Sequence, residues 1–220
     1  LLPVGRAAHL RGRCQLYLLI TMPAELPTAL VVEILATVAN LAFVILLIRE
    51  KTLCWPFGIA GSALSIYLFI DAKLYFEAFL YLFYVVFGIW GWLRWHRREE
   101  QQDNPVARWR TRFHLLAILG CSAFAVLLGY GALSFTDAER PFFDAFTTLF
   151  SFFATYLEVA KVLEAWVYWI VINLASIWLY HDRNLDIYAG LIGLYAILSV
   201  WGFVSWRRTW LAQAAGANAS

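Results

Sequence analysis

The chain has 220 residues, of which 62% are hydrophobic, 18% are aromatic and only 15% are charged, and its formal net charge is +2. Soluble domains are about 45–50% apolar and about 25% charged, so this composition predicts an integral membrane protein and excludes an ordinary soluble domain. The basic residues lie in loops between apolar runs, which gives no indication of nucleic-acid binding. Three isolated cysteines, Cys14, Cys54 and Cys121, show neither metal-ligand nor disulfide spacing, so no metal or cofactor is expected.

Residues 1–27 are predicted to be a leader or an interfacial segment, because the apolar run Leu16–Ile20 is too short to cross a hydrocarbon layer of about 30 Å. Longer apolar runs follow, each near the length that a membrane-spanning helix needs. The seven predicted helices cover residues 28–48, 55–70, 74–95, 113–135, 141–157, 163–181 and 185–206. Residues 96–112 form the longest polar connection, and the Ala-rich tail 208–220 is expected to fray.

An internal repeat relates the two ends of the chain. When the second half is aligned on the first so that Trp166 falls on Trp55, many further residues are identical, including several that general Leu-richness does not explain. We call this alignment the repeat register. It also pairs Asp71 with Asp182, Tyr84 with Tyr195, Trp90 with Trp201, Gly91 with Gly202 and Trp95 with Trp206. The repeat register sets Glu33 against Asp144, so each half carries an acidic residue at the same depth.

The repeat predicts an all-α membrane protein with a 3+1+3 arrangement of seven transmembrane helices. Two three-helix repeats, 28–95 and 136–207, would point in opposite directions if they were joined directly, because three is an odd number. The helix at 113–135 is therefore predicted to be a linker that makes the repeats parallel. Transporters built from parallel repeats bind their substrate at the repeat interface, so this plan favours transport.

Lys and Arg are divided unequally between the two predicted sides of the membrane. With seven spans, the side of the N-terminal leader carries six basic residues and the other side carries eleven. Cytoplasmic loops are enriched in Lys and Arg. We therefore expect the N-terminus outside, the C-terminus in the cytoplasm and the connection 96–112 on the cytoplasmic side.

The most informative stretch runs over residues 158–182. Trp166, Trp169 and Asn173 are spaced by three or four residues, so a helix would place them on one stripe. An amide in a membrane-spanning helix needs a polar partner, and aromatic planes beside it suit a flat, ring-bearing solute. The alternative is ordinary helix packing, in which Asn173 bonds a neighbouring helix.

Three charged residues, Glu158, Lys161 and Glu164, cluster at the predicted cytoplasmic turn before this stripe. They could form a gate, or a solvated loop whose charges pair with one another. The acids well inside the predicted spans are Glu33 and Asp144. These two leave open an alternative function, an ion-coupled transporter of another small aromatic or sugar-like solute.

Other residues are expected to serve the membrane or helix packing. Trp is common at membrane interfaces and Gly at close helix contacts. We predict interface anchors at Trp90, Trp95, Trp201 and Trp206, and close helix approach at Gly58, Gly61, Gly190 and Gly193. An intramembrane enzyme or a haem-binding carrier is not expected, because all four His residues lie at helix ends or outside the helices.

Three short segments resemble the PnuC family of vitamin B3 transporters. They are the sequence WPFGI at Trp55–Ile59, the turn DAKLY at Asp71–Tyr75 and the run AKVLEAWVYWI at Ala160–Ile170. The resemblance extends over residues 28–207. The family pattern usually has Asn where this chain has Ala165, and often Asp where it has Asn173.

The resemblance implies uptake of nicotinamide riboside by facilitated diffusion across a bacterial inner membrane. It also implies a fold similar to the SWEET sugar transporters and assembly into a homo-oligomer, a trimer in particular. The pyridinium ring is flat and cationic, so Trp166 and Trp169 are predicted to stack on it. Hydrogen bonds to its sugar or carboxamide are predicted from Asn40 and Asn173. The repeat mates Tyr84 and Tyr195 are expected to face each other across the pseudo-axis and to bind the same solute.

Overall fold

The structure, a computed structural model, describes residues 28–71, 75–101, 104–135, 140–182 and 186–217. The leader predicted at 1–27 lies outside the described residues. Within the described ranges the chain is helical, with one isolated backbone bridge. The seven helices are α1 (Thr28–Ile48), α2 (Cys54–Asp71), α3 (Tyr75–Glu100), α4 (Thr111–Phe135), α5 (Pro141–Val159), α6 (Ala165–Asp182) and α7 (Asp186–Ala217).

Five helices in the described part of the chain are long and apolar enough to cross a membrane, namely α1, α2, α3, α4 and α7. This confirms an all-helical protein with several candidate membrane spans. α5 carries Asp144, Ser151 and Glu158 among its apolar residues, and α6 is apolar over the shorter segment Ala165–Trp178. Crossing by all seven helices therefore stays a prediction.

Two predicted helix ends were placed too early. α3 continues beyond Trp95 to Glu100, and Arg97 and Arg98 lie in its last turn, where positive charge favours a helix. α7 continues to Ala217, so the prediction of a fraying tail from residue 208 is wrong as far as Ala217. Ala and Gln are good helix formers, which accounts for the longer helix.

The polar connection before α4 is not a free linker. Its first residues belong to α3, and Ala107 forms a parallel bridge with Val162 in the turn between α5 and α6. The backbone N–H of Ala107 donates to the Lys161 carbonyl at 2.9 Å, and the N–H of Leu163 donates to the Ala107 carbonyl at 2.9 Å. The connection is therefore held against the α5–α6 turn.

The turns α1–α2 and α5–α6 have the same backbone geometry. Glu50 and Lys161, which the repeat register pairs, both have φ of 57°. Their backbone N–H groups donate to the carbonyls of Leu47 and Glu158, respectively, at 2.9 Å in both cases. A non-glycine residue with positive φ is uncommon, so its recurrence at repeat-related positions is a structural counterpart of the sequence repeat.

The helices pack as two groups, α1–α3 and α5–α7, while α4 packs against α5. Between the groups, α3 contacts α5 and α1 contacts α7. Two indoles make reciprocal bonds at this boundary. The Trp95 Nε1–H donates to the Val159 carbonyl, and the Trp206 Nε1–H donates to the Leu47 carbonyl, each at 3.1 Å.

Four buried tryptophan rings lie in a continuous row across the same boundary. Its order is Trp55, Trp95, Trp206 and Trp166, with ring centroids 5.5, 6.1 and 5.4 Å apart. The prediction that Trp95 and Trp206 anchor the membrane interface is therefore wrong, because both side chains are fully buried. Their burial results from the packing of one helix group on the other.

The predicted glycine contacts are correct for α2 but not for α7. A Cβ at Gly58 would meet the Phe43 ring at 2.8 Å, and a Cβ at Gly61 would overlap the Asn40 side-chain oxygen. At Gly190 and Gly193, no atom of the described residues lies within 4 Å of an added Cβ. Only the first pair therefore marks close helix approach.

Candidate functional site

A cavity of about 260 Å³ lies between the two helix groups. Side chains from α1, α2, α3, α5, α6 and α7 contribute to its wall. All six residues predicted to bind a solute line it, namely Asn40, Tyr84, Trp166, Trp169, Asn173 and Tyr195. The structure thus brings these residues together around one space, and their contact with a solute stays a prediction.

Several further residues of the wall were not predicted. Ser62, Tyr81, Thr155 and Ser199 contribute polar groups to the cavity. The sequence repeat could have indicated Ser62 and Ser199, because the repeat register pairs Ser62 with Asn173 and Gly88 with Ser199. It also pairs Gly58 with Trp169. At these three pairs of positions the two halves therefore line the cavity with different side chains.

Asn173 is buried at the boundary between α6 and α7 and is 7% exposed. Its Nδ2 donates to Ser199 Oγ at 3.2 Å, and Ser199 Oγ donates to the Tyr195 carbonyl at 2.8 Å. The side chain therefore bonds a neighbouring helix, as the packing alternative expected, and also lines the cavity. The bond to Ser199 fixes the amide beside the cavity.

Two indole N–H groups in the cavity wall, those of Trp55 and Trp166, are buried without a hydrogen-bond partner among the described residues. Buried donors are nearly always satisfied in proteins, so these two groups are available to a solute or to water. The Trp169 indole lies in the same wall and interacts with the Glu158 carboxyl group.

The three residues of the candidate gate do not form one cluster. Glu158 lines the cavity, whereas the Lys161 ammonium pairs with the Glu50 carboxylate at 2.9 Å. Glu164 accepts a hydrogen bond from Arg108 Nε at 2.8 Å. The prediction of mutual pairing is wrong, because the end of α5, the turn and the start of α6 direct these side chains to different neighbours.

Glu164 belongs to a second cavity, of about 540 Å³, between α4, α5 and α6. Most of its wall is apolar, with His114 and Tyr168 near the same end as Glu164. The His114 Nδ1 lies 3.2 Å from the Tyr168 hydroxyl. None of the six predicted solute-binding residues lines this second cavity.

The two acids of the ion-coupled alternative lie outside the central cavity. Glu33 and Asp144 are exposed, and neither lines the cavity wall. Asp144 is in the first turn of α5, where a negative charge favours the helix. Within the described ranges, no group of three or more His, Cys, Asp or Glu side chains is placed to hold a metal ion.

A family model described as "Nicotinamide mononucleotide transporter" matches residues 30–208 of the chain. The nicotinamide riboside transporter PnuC of Escherichia coli (strain K12) is 25% identical over an alignment of 177 residues, which covers 66% of this chain and 72% of that protein. Its counterpart in Neisseria mucosa is 24% identical over 79% of this chain and 70% of that protein. The riboflavin/roseoflavin transporter RibM of Streptomyces davaonensis is 23% identical over 54% of this chain and 58% of that protein.

A solved structure supports the fold. The crystal structure of the vitamin B3 transporter PnuC superposes with a TM-score of 0.67 and 22% sequence identity, covering 82% of each chain. The arrangement of helices is therefore shared with that protein.

Proposed function

Because the chain belongs to the nicotinamide mononucleotide transporter family, we propose that it carries nicotinamide riboside into the cytoplasm by facilitated diffusion. The observation that carries this proposal is the central cavity, whose wall combines indole rings with amide and hydroxyl groups. The relatives named as nicotinamide riboside transporters support the choice of solute.

The chemistry of the cavity fits this riboside. Its pyridinium ring is a flat cation, and an aromatic face attracts such a ring by about 0.5–2 kcal/mol. Trp169 provides such a face, and Trp166, the second predicted stacking residue, lies deeper in the same wall and is 1% exposed. The carboxamide and the ribose hydroxyls need donors and acceptors, which Asn40, Asn173 and Tyr195 supply.

The riboside fits better than its phosphate, the mononucleotide. No Lys, Arg or His is among the described residues that line the cavity, whereas Glu158 contributes a carboxyl group. A phosphate there would lose its hydration without gaining a cationic partner. We therefore expect the mononucleotide to bind more weakly than the riboside.

Ion coupling has less support. Glu33 and Asp144 were the acids predicted to be available for ion coupling, and both lie outside the cavity wall. Facilitated diffusion needs no such group, since the solute's own gradient drives it.

The proposed architecture has seven membrane crossings, with parallel repeats α1–α3 and α5–α7 and α4 as the linker. The grouping of helix contacts and the matching turns at Glu50 and Lys161 support it. We retain the prediction of an outside N-terminus and a cytoplasmic C-terminus from the distribution of basic residues. Assembly into a homotrimer stays a prediction.

The gate that we propose differs from the cluster predicted from the sequence. It consists of the ion pair between Lys161 and Glu50, which joins the α5–α6 turn to the α1–α2 turn. The Thr209 hydroxyl donates to Glu50 at 2.6 Å, and Lys161 Nζ donates to the Asn104 carbonyl at 2.7 Å. Because these bonds close the predicted cytoplasmic ends of the two halves, release into the cytoplasm requires them to separate.

Binding of the riboside to the purified protein tests the function directly. We expect Trp169→Ala and Asn173→Ala each to weaken binding by about tenfold or more, because they remove an aromatic face and a buried polar group. Isothermal titration calorimetry measures this change. Trp178→Ala is the matched control, because Trp178 lies on the same helix, is 58% exposed and is outside the cavity wall.

Unchanged binding in both cavity variants would contradict the proposed site. Uptake of labelled riboside into proteoliposomes tests the mechanism. With the membrane potential held at zero, imposed proton or sodium gradients should leave the uptake rate of this cationic solute unchanged, and acceleration by either gradient would contradict facilitated diffusion.

A further inference from the structure

Glu158 is a buried carboxyl group in the wall of the central cavity. It lies in the last turns of α5, is 4% exposed and faces the same space as the predicted solute-binding residues. No ion pair joins it to a basic residue within the described ranges. The neighbouring Lys161 is paired with Glu50, and the acid nearest in sequence, Glu164, is paired with Arg108.

The groups that interact with Glu158 are neutral. They are the Trp169 indole, the Tyr84 hydroxyl and the Cys54 thiol. An ionised carboxylate that is removed from water without a cationic partner is strongly destabilised. A cationic partner supplied from the cavity would therefore gain an ion pair, less the cost of removing the proton that an unpaired buried carboxyl group holds.

The fold itself does not require an acid at this place. The repeat register pairs Glu158 with Leu47, and Leu47 is fully buried at the corresponding turn of the first half. An apolar side chain thus serves the same packing role in the repeat. The charge at Glu158 is therefore a feature of the cavity wall in one half only.

We propose that Glu158 is the countercharge for a cationic solute, so that the cavity selects for positive charge as well as ring shape. This inference rests on the proposed function, because the pyridinium ring of nicotinamide riboside is such a cation. The Trp169 indole beside the carboxyl group provides an aromatic face for the same ring, so both attractions act at one place. A solute of the same shape without the charge would gain the stacking but lose the ion pair.

Nicotinamide riboside and its reduced dihydro form make the test pair, since the two are nearly identical in shape and only the oxidised ring is cationic. Calorimetry on the full chain in detergent should give the oxidised form an affinity roughly tenfold or more above that of the reduced form. Glu158→Gln should abolish most of this preference by weakening binding of the oxidised form. Glu33→Gln, which neutralises an exposed acid outside the cavity, should retain the preference.

The outcomes separate this inference from the proposed function. Equal affinity of the wild-type protein for both forms overturns the countercharge and leaves riboside transport standing, and this comparison requires no variant. A preference that persists in folded Glu158→Gln also overturns the countercharge. Failure of the wild-type protein to bind either form contradicts the proposed substrate and, with it, the inference.

Discussion

In each half of the molecule a tryptophan ring lies directly against a glycine of the neighbouring helix. Trp55 of α2 packs on Gly91 of α3, and Trp166 of α6 packs on Gly202 of α7. The repeat relates both members of the two pairs. Because Trp55 and Trp166 also line the cavity, these glycines determine the position of each indole in the cavity wall.

Substitution of either glycine should destabilise the protein. A Cβ would meet the indole at 2.6 Å for Gly91 and at 2.5 Å for Gly202, and such overpacking costs about 1–3 kcal/mol. Gly91→Ala and Gly202→Ala should each lower the melting temperature in detergent, measured by intrinsic Trp fluorescence.

Gly120→Ala is the control for this pair, because no atom of the described residues lies within 4 Å of the Cβ that the substitution adds. Alanine in an uncrowded helix should leave the melting temperature unchanged or raise it slightly. A melting temperature in Gly202→Ala equal to that of the control would contradict the tight contact.

At the scale of helices and turns, one charge pair links the two halves. The turns α1–α2 and α5–α6 place the related residues Glu50 and Lys161 opposite each other. The Lys161 ammonium also lies 5.0 Å from the centroid of the Trp95 ring. Lys161 is therefore held by a carboxylate, a backbone carbonyl and an aromatic face, which explains its burial.

Lys161→Met should open this end of the protein, which is predicted to be cytoplasmic, more often, because it removes the charge that joins the two turns. Loss of one partner of a buried pair costs about 3–5 kcal/mol. Cys54 is fully buried beside this boundary and serves as a reporter of opening. In a background of Cys14→Ser and Cys121→Ser, maleimide should label Cys54 about tenfold faster or more in Lys161→Met.

Lys51→Met is the matched control, because Lys51 is an exposed lysine of the neighbouring turn and makes no ion pair among the described residues. Its labelling rate should equal that of the background. The proposed gate is incorrect if Lys161→Met labels no faster than Lys51→Met.

At the scale of the whole molecule, several charged contacts lie together at one end. Glu50 contacts Thr209 and Lys161, and Arg108 contacts Glu164 and the Trp210 ring. The ends of α1, α5 and α7 therefore meet at the same face. This is the end that the distribution of basic residues predicts to be cytoplasmic.

Reporter fusions test this orientation. Green fluorescent protein fused after Ser220 should fluoresce in a bacterial host, and alkaline phosphatase fused at the same place should be inactive, because the C-terminus is predicted to be cytoplasmic. Alkaline phosphatase fused after Asp137, in the connection between α4 and α5, should be active. The opposite pattern at both positions would contradict the orientation.

The sequence by itself determined the class of fold, the approximate helices and six of the residues that line the cavity. The thickness of the hydrocarbon layer imposes a minimum length on membrane-spanning helices, so the long apolar runs of the sequence predict the helices directly. The predicted helix 28–48, for example, coincides with α1. The spacing of Trp166, Trp169 and Asn173 placed them on one stripe because helical geometry is local. The repeat made Tyr84 and Tyr195 a pair, and both line the same cavity.

Only the tertiary structure decided which similar residues differ in environment. Trp90 and Trp201 are 38% and 47% exposed, whereas Trp95 and Trp206 are fully buried. Helical periodicity does not distinguish them, because burial depends on contacts between helices far apart in the chain. The same reason separates the charged residues of one turn: Glu158 faces the cavity, Glu164 binds Arg108, and Lys161 finds its partner in the other half of the molecule.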